Sequence, residues 1–306
     1  MQNASVLVTG GAGFIGGHIA RTLVDDNDVA IFDIVPEAPH PDCEVIEGDV
    51  RDSDAVAAAV EGRDVVFHEA ALVSVAESVE RPTVSHETTA TGTVNVLDAA
   101  RTHDVRVVVA SSAAIYGRPE RTPIDEGHPL EPTSPYGVDK LTADHYTRLY
   151  ADLYGLETVA LRYFNVYGPG GTTGDYAGVI DVFRRQARER EPITVHGDGT
   201  QTRDFVHVDD VVAANLAAAT ADSEAFGRAF NVGTGESVTI RELAELIRSA
   251  LDSDSEIVNT DPREGDIDHS RADISRARRV LNYEPDVDLE AGLRRLVGAN
   301  AREQHI

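Results

Sequence analysis

Short apolar runs alternate with longer amphipathic stretches through the first part of the chain. Ser5-Val6-Leu7-Val8, Val29 to Phe32, Glu44-Val45-Ile46, Asp64-Val65-Val66-Phe67 and Arg106 to Ala110 read as strands, rich in valine and isoleucine. Between them the spacing predicts a helix ending near Asp25, one over Ala55 to Val60 capped by Asp52, and a long helical stretch from about Glu77 to His103. Ser134 to Tyr154 reads as a further helix, with Pro135 in its first turn and Leu141, Tyr146, Leu149 and Leu153 as an apolar stripe. Strand alternating with helix predicts an α/β fold with a doubly wound parallel sheet.

Beyond Gly168 the alternation breaks. Pro169 to Gly174 reads as a substrate loop, Ala177 to Arg190 as a helix, and Ile193-Thr194-Val195 as a short strand before the turn His196 to Gly199. A helix over Asp209 to Thr220 and a strand over Ala229 to Val232 return to the sheet. Thr239-Ile240-Arg241-Glu242 then forms a capping box for a helix to Leu251, and two more helices cover Ala272 to Leu281 and Leu289 to Arg302. The expected division is a nucleotide-binding domain over 1–168 and 203–236, with a smaller C-terminal α/β lobe over 169–202 and 237–306. No internal repeat or long linker is evident.

Composition narrows the classes. No run of about 18 apolar residues exists, and the N-terminus enters a strand pattern almost at once, so neither a membrane span nor a signal peptide is expected and the protein should be cytoplasmic. The single cysteine, Cys43, rules out an internal disulfide and a cysteine metal cage. A net charge of −26 argues against nucleic acid and anionic membranes as partners. Dispersed acid with almost no lysine resembles proteins of salt-accumulating archaea, where about molar salt shortens screening to roughly 3 Å.

The turn after the first strand, Thr9-Gly10-Gly11-Ala12-Gly13-Phe14-Ile15-Gly16, carries glycines at dinucleotide-binding spacing in the required strand-turn-helix context. Gly10, Gly13 and Gly16 permit the tight turn, and the backbone through Phe14 and Ile15 opens a helix whose positive end suits a pyrophosphate. Asp33 ends the second strand, twenty residues beyond Gly13, where a carboxylate grips a ribose diol and repels a 2′-phosphate; NAD is therefore favoured over NADP. Asp49 and Val50, in Gly48 to Asp52, are placed beside adenine, and the small Ala70 and Ala71 let the dinucleotide pass over a strand end. His68 has no metal-ligand partner at suitable spacing and reads as a hydrogen-bonded structural histidine; no metal site is expected.

Lys140 is the only lysine in the chain and lies four residues after Tyr136. On a helix the two share a face, and a neighbouring cation favours the phenolate of a group that titrates near about pH 10 in isolation. Ser112, delivered by the fifth strand to the carboxyl edge of the sheet, can hydrogen-bond a hydroxyl held by Tyr136.

With these residues, and with Arg162 to Pro169, Arg203 to Val208 and Arg263 to Asp266, the chain resembles the extended short-chain dehydrogenases/reductases, and within them the nucleotide-sugar epimerases. The resemblance implies a Rossmann domain, NAD as cofactor and a UDP-sugar as substrate. It implies Tyr136 as general base and acid, Lys140 as the group that lowers its pKa, and Ser112 as the partner at the sugar hydroxyl. Asn165, Arg203, Arg263 and Asp266 match contacts to the sugar nucleotide, the arginines as a diphosphate clamp. Ala113 and Ala114 stand where related dehydratases carry Asp and Glu, so elimination lacks its machinery and 4-epimerisation remains. Ser270, where galactose/glucose-type enzymes carry tyrosine, leaves room for a 2-acetamido group. The expected reaction is therefore 4-epimerisation of UDP-glucose/UDP-galactose, with the N-acetylated forms in range; a UDP-glucuronate epimerase or a reductase, and a non-catalytic NAD(H)-binding protein, remain as alternatives. Thr89 stands where the family has asparagine, and a homodimer through the Glu77 and Pro135 helices is expected by resemblance.

Overall fold

The computed structural model describes residues 1–171, 178–263 and 265–303. Seven strands form one sheet in which every neighbouring pair is parallel. The chain enters through β1 (Ser5–Thr9), turns into α1 (Phe14–Leu23), and returns as β2 (Asp28–Asp33) and β3 (Glu44–Glu47). It continues as α2 (Ser53–Val60), β4 (Val65–His68), α3 (Val75–Glu80), α4 (Pro82–His86) and α5 (Gly92–His103). β5 (Arg106–Ser112), α6 (Pro135–Tyr154) and β6 (Thr158–Tyr163) follow. Outside the sheet come β7 (Asn165–Tyr167), α7 (Val179–Arg188), β8 (Ile193–His196), β9 (Thr202–Arg203), β10 (Phe205–His207) and α8 (Val208–Ala219). β11 (Arg228–Val232) rejoins the sheet before β12 (Val238–Thr239), α9 (Ile240–Ala250), β13 (Ile257–Thr260), α10 (Ser275–Leu281) and α11 (Leu289–Glu303).

The sheet order is β11-β6-β5-β4-β1-β2-β3. Its direction of winding reverses between β1 and β4, and the carboxyl ends there open the crevice in which such sheets bind ligands. Leu7, Val66, Leu97 and Val107 fill one face of the sheet; Val8, Ile19, Phe67 and Phe230 fill the other. A third cluster, including Phe183, Val195, Leu243 and Ile247, is the core of the lobe. The segment from Ala272 to Tyr283, expected in that lobe, packs instead into the α1 and α8 side of the sheet through Ile274, Ala277 and Leu281.

Several expectations hold at residue level. Asp52 caps α2, its side chain accepting from the N–H groups of Asp54 and Ala55 at 3.1 Å each. Thr239 and Glu242 form the capping box of α9. Three others need correction. The long helix from Glu77 to His103 is interrupted, because Pro82 lacks an N–H and its ring drives Arg81 out of helical geometry, to φ −132° and ψ 58°. Farther on, Glu87–Thr91 winds as a π-helical turn before α5. The stripe on α6 faces outward: Tyr146, Leu149 and Leu153 are exposed, and the inward face is Gly137, Lys140, Ala143, Asp144 and Thr147. Only Leu141 of the stripe packs against the core. The third correction is β5, which runs two residues past Ala110 and so carries Ser111 and Ser112 within the strand. Residues 172–174 of the expected substrate loop, Ala177 and Glu264 lie outside the described residues.

Candidate active site

The first wall is the turn from β1 into α1. Gly10 has φ +69°, and a Cβ there would lie 2.7 Å from the amide nitrogen of Ala70; a Cβ on Gly16 would lie 2.3 Å from the carbonyl of Gly10. Only glycine lets β4, the turn and α1 approach this closely. α1 begins at Gly13 with no side chain capping it, so its first N–H groups are presented to whatever occupies the crevice. At the end of β2, Asp33 accepts from the N–H of Ala12 and of Val35 at 3.0 Å each, which ties the carboxylate to the turn. A cradle of bare backbone beside a positioned carboxylate fits a dinucleotide bearing a ribose diol. Asp49 lies close by but is engaged with Arg51, to which it is bonded at 2.5 Å; the Arg51 guanidinium holds its carboxyl below the usual range.

β4 ends in His68 and Glu69. His68 is buried, receives the Thr9 hydroxyl at 2.7 Å on Nδ1, and lies 3.0 Å from Thr93 Oγ1 through Nε2. Thr93 spends its own hydrogen on the carbonyl of Thr89, at 2.6 Å, so the network assigns the proton of His68 to Nε2. Burial pushes its pKa down to about 3, and the ring is neutral. Thr89 sits in the π-helical turn, where its hydroxyl accepts from the N–H of Leu72 at 3.2 Å; it thus holds the backbone just beyond Ala71 although it is not asparagine.

The second group comes from β5 and α6. Ser134 caps α6 by accepting from the N–H of Gly137 at 3.1 Å. In that first turn stands Tyr136, whose phenol is near enough to Ser112 for that hydroxyl to favour its ionised form; the Ser112 Oγ accepts from the N–H of Ala114 at 3.1 Å. Lys140, 5% exposed, sends Nζ to the carbonyl of Ala110 at 2.7 Å. The expected depression of the tyrosine is absent: burial of the phenol outweighs the influence of Ser112 and raises its pKa, and the ammonium is aimed at a backbone carbonyl. Behind this group, buried Arg162 bonds Asp144 through Nε at 2.8 Å and Nη2 at 3.0 Å, and reaches Tyr116 at 2.9 Å. That pair locks β6 to α6 and fixes the short turn Ala113–Tyr116 after Ser112.

The residues expected to meet the sugar nucleotide lie beyond β6 in the chain. Arg203 is paired with Asp266 and also donates to the carbonyl of Thr202 at 2.8 Å. Ser270 is buried one strand away, its N–H donating to the Thr202 carbonyl at 3.0 Å. Asn165 is turned toward Asp204, its Nδ2 donating to that carbonyl at 2.8 Å, and Arg263 is exposed. The structure thus brings Arg203, Asp266 and Ser270 to one edge. Half-buried Glu69, just past the end of β4, accepts the hydroxyl of buried Tyr163 at 2.8 Å; its signal in the sequence is a charged residue closing an apolar strand.

A doubly wound parallel sheet with a glycine cradle at its switch point, a serine at the end of β5 and a tyrosine and lysine on α6 defines a short-chain dehydrogenase/reductase. The model of the NAD dependent epimerase/dehydratase family matches residues 6–233. A UDP-glucose 4-epimerase of Mycolicibacterium smegmatis is 36% identical over 304 residues, covering 95% of this chain and 96% of that one. The solved UDP-N-acetylglucosamine 4-epimerase of Methanobrevibacter ruminantium, in complex with UDP-N-acetylmuramic acid, superposes with a TM-score of 0.93 at 36% identity over 99% of this chain and 100% of its own. The UDP-glucose 4-epimerase of Thermus thermophilus in complex with NAD gives 0.85 at 35% identity, over 96% and 98%. The chain belongs to the NAD-dependent epimerase/dehydratase family; it is an epimerase and its cofactor is NAD.

Proposed function

We propose that the protein epimerises UDP-hexoses at C4, interconverting UDP-glucose with UDP-galactose and accepting the N-acetylated forms. The observation that carries this reading is the Tyr136 phenol beside Ser112 at the sheet edge, with Lys140 on the same helical face and only alanines at 113 and 114. Bound NAD supplies the hydride acceptor that makes the sugar a transient 4-ketone and the donor that restores it. Tyr136 takes the C4 hydroxyl proton and gives it back, while Ser112 holds the same oxygen in place. Lys140 must contribute to the phenolate once the site is filled, because burial alone opposes it. Gly10, Gly13, Phe14, Ile15 and Gly16 hold the pyrophosphate, Asp33 the adenosine ribose, and Asp49, Val50, Ala70 and Ala71 line the rest of the cradle. Arg203 and Arg263 clamp the sugar diphosphate, Asp266 and Asn165 hold the nucleotide, and Ser270 leaves space at C2. Anchoring at the diphosphate lets the sugar turn over without leaving, since its binding energy resides away from the reacting carbon.

The exposed apolar residues of α3 and α6, among them Val75, Val79, Leu149 and 61%-exposed Leu153, support a homodimer through those helices. The test of function is incubation in high salt, without added cofactor, with UDP-galactose and separately with UDP-N-acetylglucosamine, resolving the products. Interconversion of gluco and galacto forms in both supports the reaction and the role of Ser270; conversion of neither, with Tyr136→Phe unchanged in every other assay, sinks it.

A further inference from the structure

Asp204 stands between β9 and β10 with no surface exposed to solvent, and the proposed mechanism gives it no task. Its Oδ1 accepts from the N–H and the hydroxyl of Thr234 at 2.8 Å each, and its Oδ2 from the N–H groups of Gly235 at 3.0 Å and Ala272 at 3.1 Å. Two donors on each oxygen use the roughly four lone pairs that a carboxylate offers. They also oppose the rise in pKa that burial brings. Space is equally tight: a Cβ on Gly233 would lie 2.8 Å from Oδ2 and 2.9 Å from the Ala272 side chain.

Stretches far apart in the chain meet at this carboxylate. Thr234 and Gly235 follow β11, an edge strand of the main sheet. Ala272 lies two residues after Ser270, in the segment that packs onto that sheet. Asp204 itself follows Arg203, and its carbonyl accepts from the N–H of Asn165 at 3.1 Å and from Nδ2 at 2.8 Å. On the other side of Arg203, the carbonyl of Thr202 accepts from that arginine at 2.8 Å and from the N–H of Ser270 at 3.0 Å. Regular pairing adds little here, because β9 is two residues long and β10 three, each with a single partner strand. Ladders so short hold a backbone weakly. The main chain that carries Arg203 therefore depends on the bonds of the residue between them.

We propose that Asp204 is a positioning residue for the sugar nucleotide: buried away from any ligand, its carboxylate ties to the end of β11 the backbone that presents Arg203, Asn165 and Ser270. The roles of those three residues come from the substrate reading above, on which this inference rests. An amide in place of the carboxylate has the same shape but one acceptor oxygen, and its NH2 would face two of the four donors.

The test uses the holoenzyme in high salt, with calorimetric titration of UDP, steady-state kinetics on UDP-galactose and the content of bound NAD. Asp204→Asn is expected to weaken UDP binding by about tenfold and to raise KM by a similar factor. Its kcat and bound NAD should stay near wild type, because contacts at the nucleotide end are shared by ground and transition states. Thr234→Val, which removes one donor and keeps the shape, should give a smaller loss in the same direction; Thr234→Ser, which keeps the hydroxyl, should restore most of the affinity. Unchanged UDP affinity in Asp204→Asn, or a fall in kcat and NAD content with KM unmoved, overturns the proposal. If that variant does not fold, unchanged affinity in Thr234→Val does so. Wild-type protein that binds no UDP overturns the substrate reading and takes this proposal with it, whereas wild-type binding that Asp204→Asn retains in full overturns this proposal alone.

Discussion

On the sheet side of the cleft, the β1–α1 turn offers bare backbone held by close approach: Gly10 against Ala70, Gly16 against Gly10, and an uncapped helix start. On the lobe side, the groups assigned to the sugar nucleotide already hold one another, Arg203 paired with Asp266 and Asn165 with the Asp204 carbonyl. On the proposed assignment the cradle receives its ligand without rearranging, whereas the clamp exchanges an internal partner for an external one. A cofactor that stays through every cycle suits the first arrangement. A substrate that has to leave suits the second, since each internal bond regained on release offsets part of the binding energy.

Four experiments press on this contrast. Tyr136→Phe removes the proposed acid and base and should lower turnover by roughly 10²–10⁴-fold while NAD content and sugar-nucleotide affinity stay near wild type; a large loss of bound NAD would move the tyrosine into the cradle. His68 tests the cradle by pH. Its folded pKa lies below the ordinary value, so the imidazole is neutral in both states above about pH 6.5 and contributes nothing there. As pH falls toward about 3 the unfolded chain takes up a proton that the folded one refuses, and stability is lost, by at most on the order of 4 kcal/mol from this group. His68→Gln should therefore narrow its deficit against wild type, or overtake it, across that window in urea melts at stepped pH; curves that stay parallel sink the argument.

Gly16→Ala forces a methyl against the Gly10 carbonyl and should cost about 1–3 kcal/mol, together with bound NAD. Denaturant midpoints and the cofactor released on heating measure the two effects. If stability falls while NAD is fully retained, the glycine serves packing and not the pyrophosphate. The smallest effect belongs to the clamp. Arg203 is mostly covered but Asp266 is 38% exposed, so a double-mutant cycle on the free protein should find only about 0.2–1 kcal/mol of coupling. Coupling well above that range would make the pair a structural fixture and not an exchangeable partner.

The parts legible in the sequence are those set by local rules. The strand runs, the glycine turn, the Asp52 cap and the Thr239/Glu242 capping box each depend on residues within a few positions of one another. The same holds for Tyr136 and Lys140 on one helical face. The misreadings share an origin too. The apolar spacing on α6 located a helix but assigned it the wrong face, because Lys140, Ala143 and Asp144 are drawn inward by β5, β6 and the buried Arg162. The break in the long helix before β5 rests on one residue, Pro82, set among many of helical pattern.

By itself the sequence determined the order of strands and helices, the place of the dinucleotide turn, and the company of Ser112, Tyr136 and Lys140, since periodicity, glycine and helical spacing act over short range. Only the tertiary structure decided where Lys140 points and that the phenol's burial outweighs the influence of Ser112. Those outcomes depend on groups brought together from β5 and α6 in an enclosed space, and no spacing along the chain measures distance or dielectric across a sheet edge.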